Sequence, residues 1–128
     1  MATIKSYTDI SQSHKLAEIL PLESADMYWQ SNLNSSDRQY LLDIGEEEHF
    51  NIEINFEHCG IGEYDIPAWS LAALLGVLEH PRCFQGDKPI YWFCGCFGKD
   101  NLYHEVEADN PVDVCYKMII ELHKLNLL

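Results

Sequence analysis

The chain has 128 residues, 47% of them hydrophobic and 12% aromatic, and twenty-one Asp and Glu against eight Lys and Arg give a formal charge of −13 and a pI ≈ 4.6. This composition excludes a disordered segment, and a chain of this length buries about two-thirds of its unfolded surface, so a core needs neither disulfide nor metal. The charge, with no cluster of Lys or Arg to offset it locally, sets the protein against nucleic acid and anionic membranes, which both reward cations placed against phosphates.

No uninterrupted apolar run reaches the roughly 18 residues of a membrane span, and MATIKSYTDISQSHK at the start holds no secretory apolar region. Cys59, Cys83, Cys94, Cys96 and Cys115 form an odd, irregular set, so a reducing cytoplasm is the expected compartment. No repeat, linker or low-complexity tract divides the sequence, which predicts one domain over residues 1–128.

Thr8 or Asp9 can cap a first helix, in which Ile10, Leu16, Ile19 and Leu20 share a face and which Pro21 ends. Ala25, Met27 and Trp29 alternate as a short strand reaching Gln30, and the polar stretch from Ser31 to Asp37 reads as a loop. A second strand is expected over Gln39 to Ile44, around Tyr40, Leu42 and Ile44. Phe50, Ile52, Ile54 and Phe56 alternate with Asn51, Glu53, Asn55 and Glu57, the period of a sheet with one wet face. Gly45 with Glu46, Glu47 and Glu48 then forms the turn between these last two strands and concentrates negative charge at its tip.

Beyond a loop at Gly60 and Gly62, Pro67 suits the first turn of a helix, where its missing N–H has no partner to lose. The helix continues through Leu78 with Trp69, Ala72, Ala73, Gly76 and Val77 on one side and Leu71, Leu74, Leu75 and Leu78 on another. An almost wholly apolar circumference predicts the central core helix. Ile90 to Phe97 reads as a strand, Gly98-Lys99-Asp100-Asn101 as a turn and Leu102 to Glu107 as the returning strand of a hairpin. Asp109 or Asn110 before Pro111 opens a last helix, where Val112, Cys115, Ile119, Leu122 and Leu125 recur at helical spacing. The order predicts an α+β fold, a single compact domain with a largely antiparallel sheet packed against about three helices.

Three blocks carry a resemblance: KLAEILPLESADMYW from Lys15 to Trp29, IPAWSLAALLGVL from Ile66 to Leu78, and ADNPVDVCYKMIIELHKL from Ala108 to Leu125. Together they resemble a family of small uncharacterised proteins of gut bacteria and their phages or mobile elements. The resemblance spans most of the chain, implies an accessory protein of a mobile element, and brings no activity, cofactor or catalytic pattern with it.

For chemistry, His80, Cys83, Cys94 and Cys96 offer four nitrogen or sulfur ligands of the kind zinc binds. The paired C-x-x-C knuckle is missing, and Cys94 and Cys96 share a strand face with Ile90 and Trp92, so core thiols are expected there and no metal. Ser70 lacks the glycines of a nucleophile elbow and reads as a small helix residue bonding back to a carbonyl. Gly60-Ile61-Gly62 lacks the later glycine of a dinucleotide loop, and no pair among His14, His49, His58, His80, His104 and His123 has metalloprotease spacing. The carboxylates of Glu46 to Glu48, Glu105 and Glu107 read as solvated charge, so no catalytic residue and no cofactor is assigned.

The strand from Ile90 to Phe97 is apolar on both faces, with Tyr91, Phe93 and Phe97 opposite Trp92, Cys94 and Cys96. Either both faces are covered, as in a buried central strand, or one face meets a partner. The expected function is a non-enzymatic interaction module that engages another protein or a second copy of itself. Its candidate partner-binding residues are Tyr91, Phe93 and Phe97 with Glu46, Glu47 and Glu48. An enzyme or small-ligand protein with an unrecognised pocket is one alternative, and an acidic mimic of nucleic acid is another.

Overall fold

The computed structural model describes residues 5–31, 50–55, 65–87 and 91–128. Within it the chain forms two units, one spanning Thr8–Ser70 and one joining the segment that ends at Tyr7 to Leu71–Leu128. The class is α+β, with the strands shared equally between two three-stranded antiparallel sheets.

In the first unit, helix α1 (Ile10–Ala17) begins where the sequence places it. The Asp9 carboxylate accepts from the Gln12 N–H at 2.8 Å, and the Gln12 side chain accepts in return from the Asp9 N–H at 3.2 Å. This reciprocal box satisfies two of the donors that a helix start leaves open. Ile10, Ser13 and Leu16 are the buried face. Strand β1 (Met27–Ser31) lies between β2 (Phe50–Ile54) and β3 (Ile66–Ala68), with Trp29 opposite both Ile52 and Ile66. The expected alternation of β2 holds at Phe50, which is buried, and fades toward Ile54, which is exposed. The expected loop beyond Ser31, the strand over Gln39 to Ile44, the Glu46–Glu48 turn, Phe56 and the Gly60–Gly62 loop lie outside the described residues.

The expected core helix from Pro67 to Leu78 is divided. Pro67 stands in β3, opposite Tyr28, at the edge of the β2-β1-β3 sheet, where a residue without an N–H costs no ladder bond. The residue before a proline is biased to extended backbone, and Ile66 and Ala68 bury the same face. Trp69 follows in an irregular link, fully buried. Its N–H donates to Thr8 Oγ1 at 3.1 Å, its carbonyl accepts from the Thr8 N–H at 3.0 Å, and its indole N–H donates to Ser24 Oγ at 2.9 Å. Thr8 also takes the Trp29 indole N–H on its carbonyl at 3.1 Å and shares a hydrogen bond with Ser13 Oγ at 2.7 Å. Ser70 does not bond back along a helix. Its N–H and hydroxyl both donate to the Asp26 carboxylate.

The second unit begins with what remains of that helix, α2 (Leu71–Val77), of which only Leu74 is buried. Its sheet has the order β4-β5-β6, from Glu79–Gln85, Trp92–Phe97 and Tyr103–Ala108. The sequence reading places no element between Leu78 and Ile90, and β4 fills most of that interval. Its pairing with β5 is interrupted between Glu79 and Arg82, around Pro81 and a left-handed His80 at φ 48. The β5–β6 hairpin is as expected. Gly98 N–H donates to the Leu102 carbonyl at 3.1 Å, Asn101 takes φ 62, and the Asp100 carboxylate accepts from the Leu102 N–H at 3.1 Å. Leu102 itself is exposed rather than sharing the buried side of His104 and Val106.

The central helix is instead α3 (Pro111–Lys124). Asn110 caps it, accepting from the Asp113 N–H at 2.9 Å with Pro111 in the first turn, and Val112, Val114, Cys115, Met118, Ile119 and Leu122 are buried against β5, β6 and α2. Lys5 Nζ meets Asp113 at 2.9 Å and ties the leading segment to the helix start. No helix among the described residues is long and apolar enough to cross a membrane.

Met118→Ala, at a fully buried site on α3, is expected to cost about 2–5 kcal/mol, and Trp69→Ala about 3–5 kcal/mol in the other unit. Urea denaturation followed by far-UV circular dichroism checks both. A loss under about 1 kcal/mol for Met118→Ala would place the core elsewhere.

Candidate functional site

Successive residues of β5 point to opposite faces. Cys94 and Cys96 turn toward α3 and are fully buried, so Phe93, Gly95 and Phe97 turn the other way. Register carries this division across the sheet, because residues directly opposite in an antiparallel pair share a face. Phe84 stands opposite Phe93 and Arg82 opposite Gly95 on the β4 side. Tyr103, Glu105 and Glu107 stand opposite Phe97, Gly95 and Phe93 on the β6 side.

The rings on this face pack in two groups. Phe84 and Phe93 stack with centroids 5.3 Å apart, and the Arg82 guanidinium lies 5.6 Å over the Phe84 ring. Phe97 meets Tyr103 edge-on at 5.7 Å and His80 edge-on at 6.4 Å. A Cβ on Gly95 would fall 1.8 Å from the Tyr103 hydroxyl, and one on Gly86 would fall 2.4 Å from the Phe93 ring. Both glycines therefore let an aromatic ring lie down on the backbone. The Tyr103 hydroxyl donates to Glu105 at 2.9 Å; lost solvation and then the Glu105 carboxylate push the phenol up from its ordinary range. Tyr103 is 43% exposed, Phe97 40%, and Phe84 and Tyr91 37% each, while Phe93 is half-buried. Exposed apolar surface gathered on one face on this scale is often functional.

At one end of this face Tyr91 and Phe93 join Asp87 and Glu107 around an open cleft of ≈ 390 Å³. A second hollow of ≈ 290 Å³ lies where Val77, Leu78, Phe97, Leu122 and Leu127 meet, with Glu79 and Lys99 at its rim.

The opposite face of the sheet holds the thiols. Cys83, directly across from Cys94, and Cys115 of α3 bond through their sulfurs, with Cys115 donating to Cys94. That bond and burial push the Cys115 thiol up, and burial followed by the neighbouring Cys94 pushes Cys96 up to about 11. His80 is on the other side of the sheet against Phe97, so the structure does not bring together the set of His80, Cys83, Cys94 and Cys96. Among the described residues no group of three or more His, Cys, Asp and Glu is arranged to hold a metal ion, and no buried side-chain nitrogen or oxygen lacks a hydrogen-bond partner.

Of the residues singled out from the sequence, Phe93 and Phe97 share the open face and Tyr91 borders its cleft, whereas Glu46, Glu47 and Glu48 lie outside the described residues. Phe84, Tyr103, Asp87 and Glu107 complete the site and were not singled out as partner-binding. The hairpin contained the signal for Tyr103, since closing it at Gly98–Asn101 sets Phe97 against Tyr103. Compared with family models, curated proteins and solved structures, the chain matches none.

Two outcomes check this geometry. Iodoacetamide at mildly alkaline pH is expected to label half-buried Cys83 well before Cys94, Cys96 and Cys115, and peptide mapping by mass spectrometry reads the order. Gly95→Ala is expected to swing the Tyr103 ring off the sheet at a cost of about 1 kcal/mol, seen as a changed near-UV dichroism signal with the far-UV spectrum preserved.

Proposed function

We propose that this protein is a non-enzymatic interaction module whose working surface is the open aromatic face of the β4–β5–β6 sheet. The observation that supports the reading is the exposure of Phe84, Phe97, Tyr103 and Tyr91 around a half-buried Phe93, on the side of the sheet away from α3. Aromatic side chains are enriched at the energetic centres of interfaces, because they bring large contact area with few torsions to freeze. Here the sheet backbone fixes that area in advance. Ring–ring contacts and the two ring-bearing glycines hold the side chains in place before any partner arrives, which lowers the ordering cost of binding. The resemblance of the three sequence blocks adds the setting, an accessory protein of a mobile element acting in the cytoplasm.

The test is differential capture from a host lysate. A Phe84→Ser, Phe97→Ser, Tyr103→Ser variant alters only exposed positions and should keep its far-UV spectrum. The control changes Leu125 to Ser, an exposed position at the end of α3, the helix that covers the other side of this sheet. A protein held by the wild type and the control, and lost by the triple variant, is the expected result. Equal recovery by all three would sink the reading.

A further inference from the structure

Resting on that reading, we propose that the occupant of the open face is a cationic, extended segment of another protein, laid across β4, β5 and β6 with one Lys or Arg side chain seated in the cleft formed by Tyr91, Phe93, Asp87 and Glu107. The cleft sets two carboxylates beside two rings within ≈ 390 Å³. The four described residues that line it suit an ammonium or guanidinium group, which a carboxylate attracts by charge and a ring face by its quadrupole. The sheet already makes this contact within the chain, since the Arg82 guanidinium lies over Phe84 at 5.6 Å. A cationic segment would repeat on Phe93 and Tyr91 what Arg82 does on Phe84.

Charge selects this occupant over the others a flat aromatic sheet might take. Among the described residues the face and its rim carry Asp87, Glu105 and Glu107 against the guanidinium of Arg82, with Lys117 donating to the Glu107 carbonyl at 3.0 Å. Bases can stack on exposed rings, but the phosphates of a single strand would then meet three carboxylates against the one guanidinium among the described residues of this face. A second copy would bring the same carboxylates against them and the same formal charge of −13. A positively charged segment gains from both the local and the whole-molecule field.

The edges of the sheet direct the segment onto the face. β4 carries Pro81 and an interrupted register, and on β6 the Lys117 side chain occupies the Glu107 carbonyl. Both features discourage an added strand. What stays open is the row of rings from Phe84 and Phe93 to Phe97 and Tyr103, with the cleft at one end.

The experiment uses the full chain and a fluorescein-labelled Arg-Gly repeat peptide, with an Asp-Gly repeat and a uridine oligonucleotide as comparison probes, read by fluorescence anisotropy at physiological salt. Binding of the Arg-Gly probe alone is expected. An Asp87→Asn, Glu107→Gln variant and a Tyr91→Ser variant should each weaken it about five- to tenfold, while Glu121→Gln, which removes a charge from α3, should change it less than about twofold. All these positions are exposed, and a far-UV spectrum confirms each fold. Equal weakening in the cleft and control variants, no binding of the Arg-Gly probe, or preferred binding of the oligonucleotide would overturn the proposal. So would a concentration-dependent dimer in sedimentation equilibrium that Tyr91→Ser abolishes. A failure here with partner loss still seen in the Phe84, Phe97, Tyr103 variant removes the cationic occupant and leaves the interaction reading standing.

Discussion

A three-stranded sheet has two faces, and among the described residues the unit built around β4, β5 and β6 has a single helix long enough to cover one of them. The fourteen residues of α3 bury Val112, Val114, Cys115, Met118, Ile119 and Leu122 against the side that carries Cys94 and Cys96. The seven-residue α2 buries only Leu74 and adds no second layer. Strand β5 is nevertheless apolar on both sides. Burying one side fully therefore leaves Phe93 and Phe97 on the other, where Phe84 and Tyr103 join them by register. At the exposures observed, these four with Tyr91 leave on the order of 300 Å² of ring surface in water, about the size of the largest patch on an ordinary monomer. A segment laid on that area buries far less than the roughly 1,200 Å² of a durable complex. The binding that suits it is brief and reversible.

How much of this the sequence discloses depends on the range of each interaction. Local signals read true: the Asp9 capping box, the Asn110-Pro111 helix start and the Gly98–Asn101 hairpin all form where their residues predict. The run from Ile66 to Leu78 misleads because an all-apolar stretch has no period to separate a buried strand from a helix. What decides it is Thr8, sixty-one residues from Trp69, which takes both backbone groups of that residue and so draws it out of helical pairing. No window along the chain contains that contact. Ser70 misleads for the same reason, since its partner Asp26 is distant in sequence.

The site divides along the same line. The double apolar alternation of β5 is visible in the sequence and marks Phe93 and Phe97, and the hairpin turn extends the face to Tyr103. β4 is invisible by pattern, because EHPRCFQ contains a proline, two charges and a histidine and has no clean alternation. It becomes a strand through pairing with β5 on both sides of its irregularity, and only then does Phe84 reach Phe93. The cleft is less legible still. Asp87 follows β4 and Glu107 ends β6, and two separate strand pairings bring them to the same pair of rings.

Exposed rings are a liability as well as a surface, and the surrounding residues manage it. A bare aromatic sheet face would adhere to its own kind, whereas along this one a second copy would set its Asp87, Glu105 and Glu107 against the same carboxylates. The same charges cost little toward water, because all three are exposed and need no buried partner. Gly86 and Gly95 act on the other side of the balance. By letting Phe93 and Tyr103 lie against the backbone they hide part of each ring, which limits the area left open without removing it. In the proposed interaction, selectivity would arise from a pairing of features that neither supplies alone, since the rings would give a partner something to hold and the carboxylates would decide the sign of what may hold it.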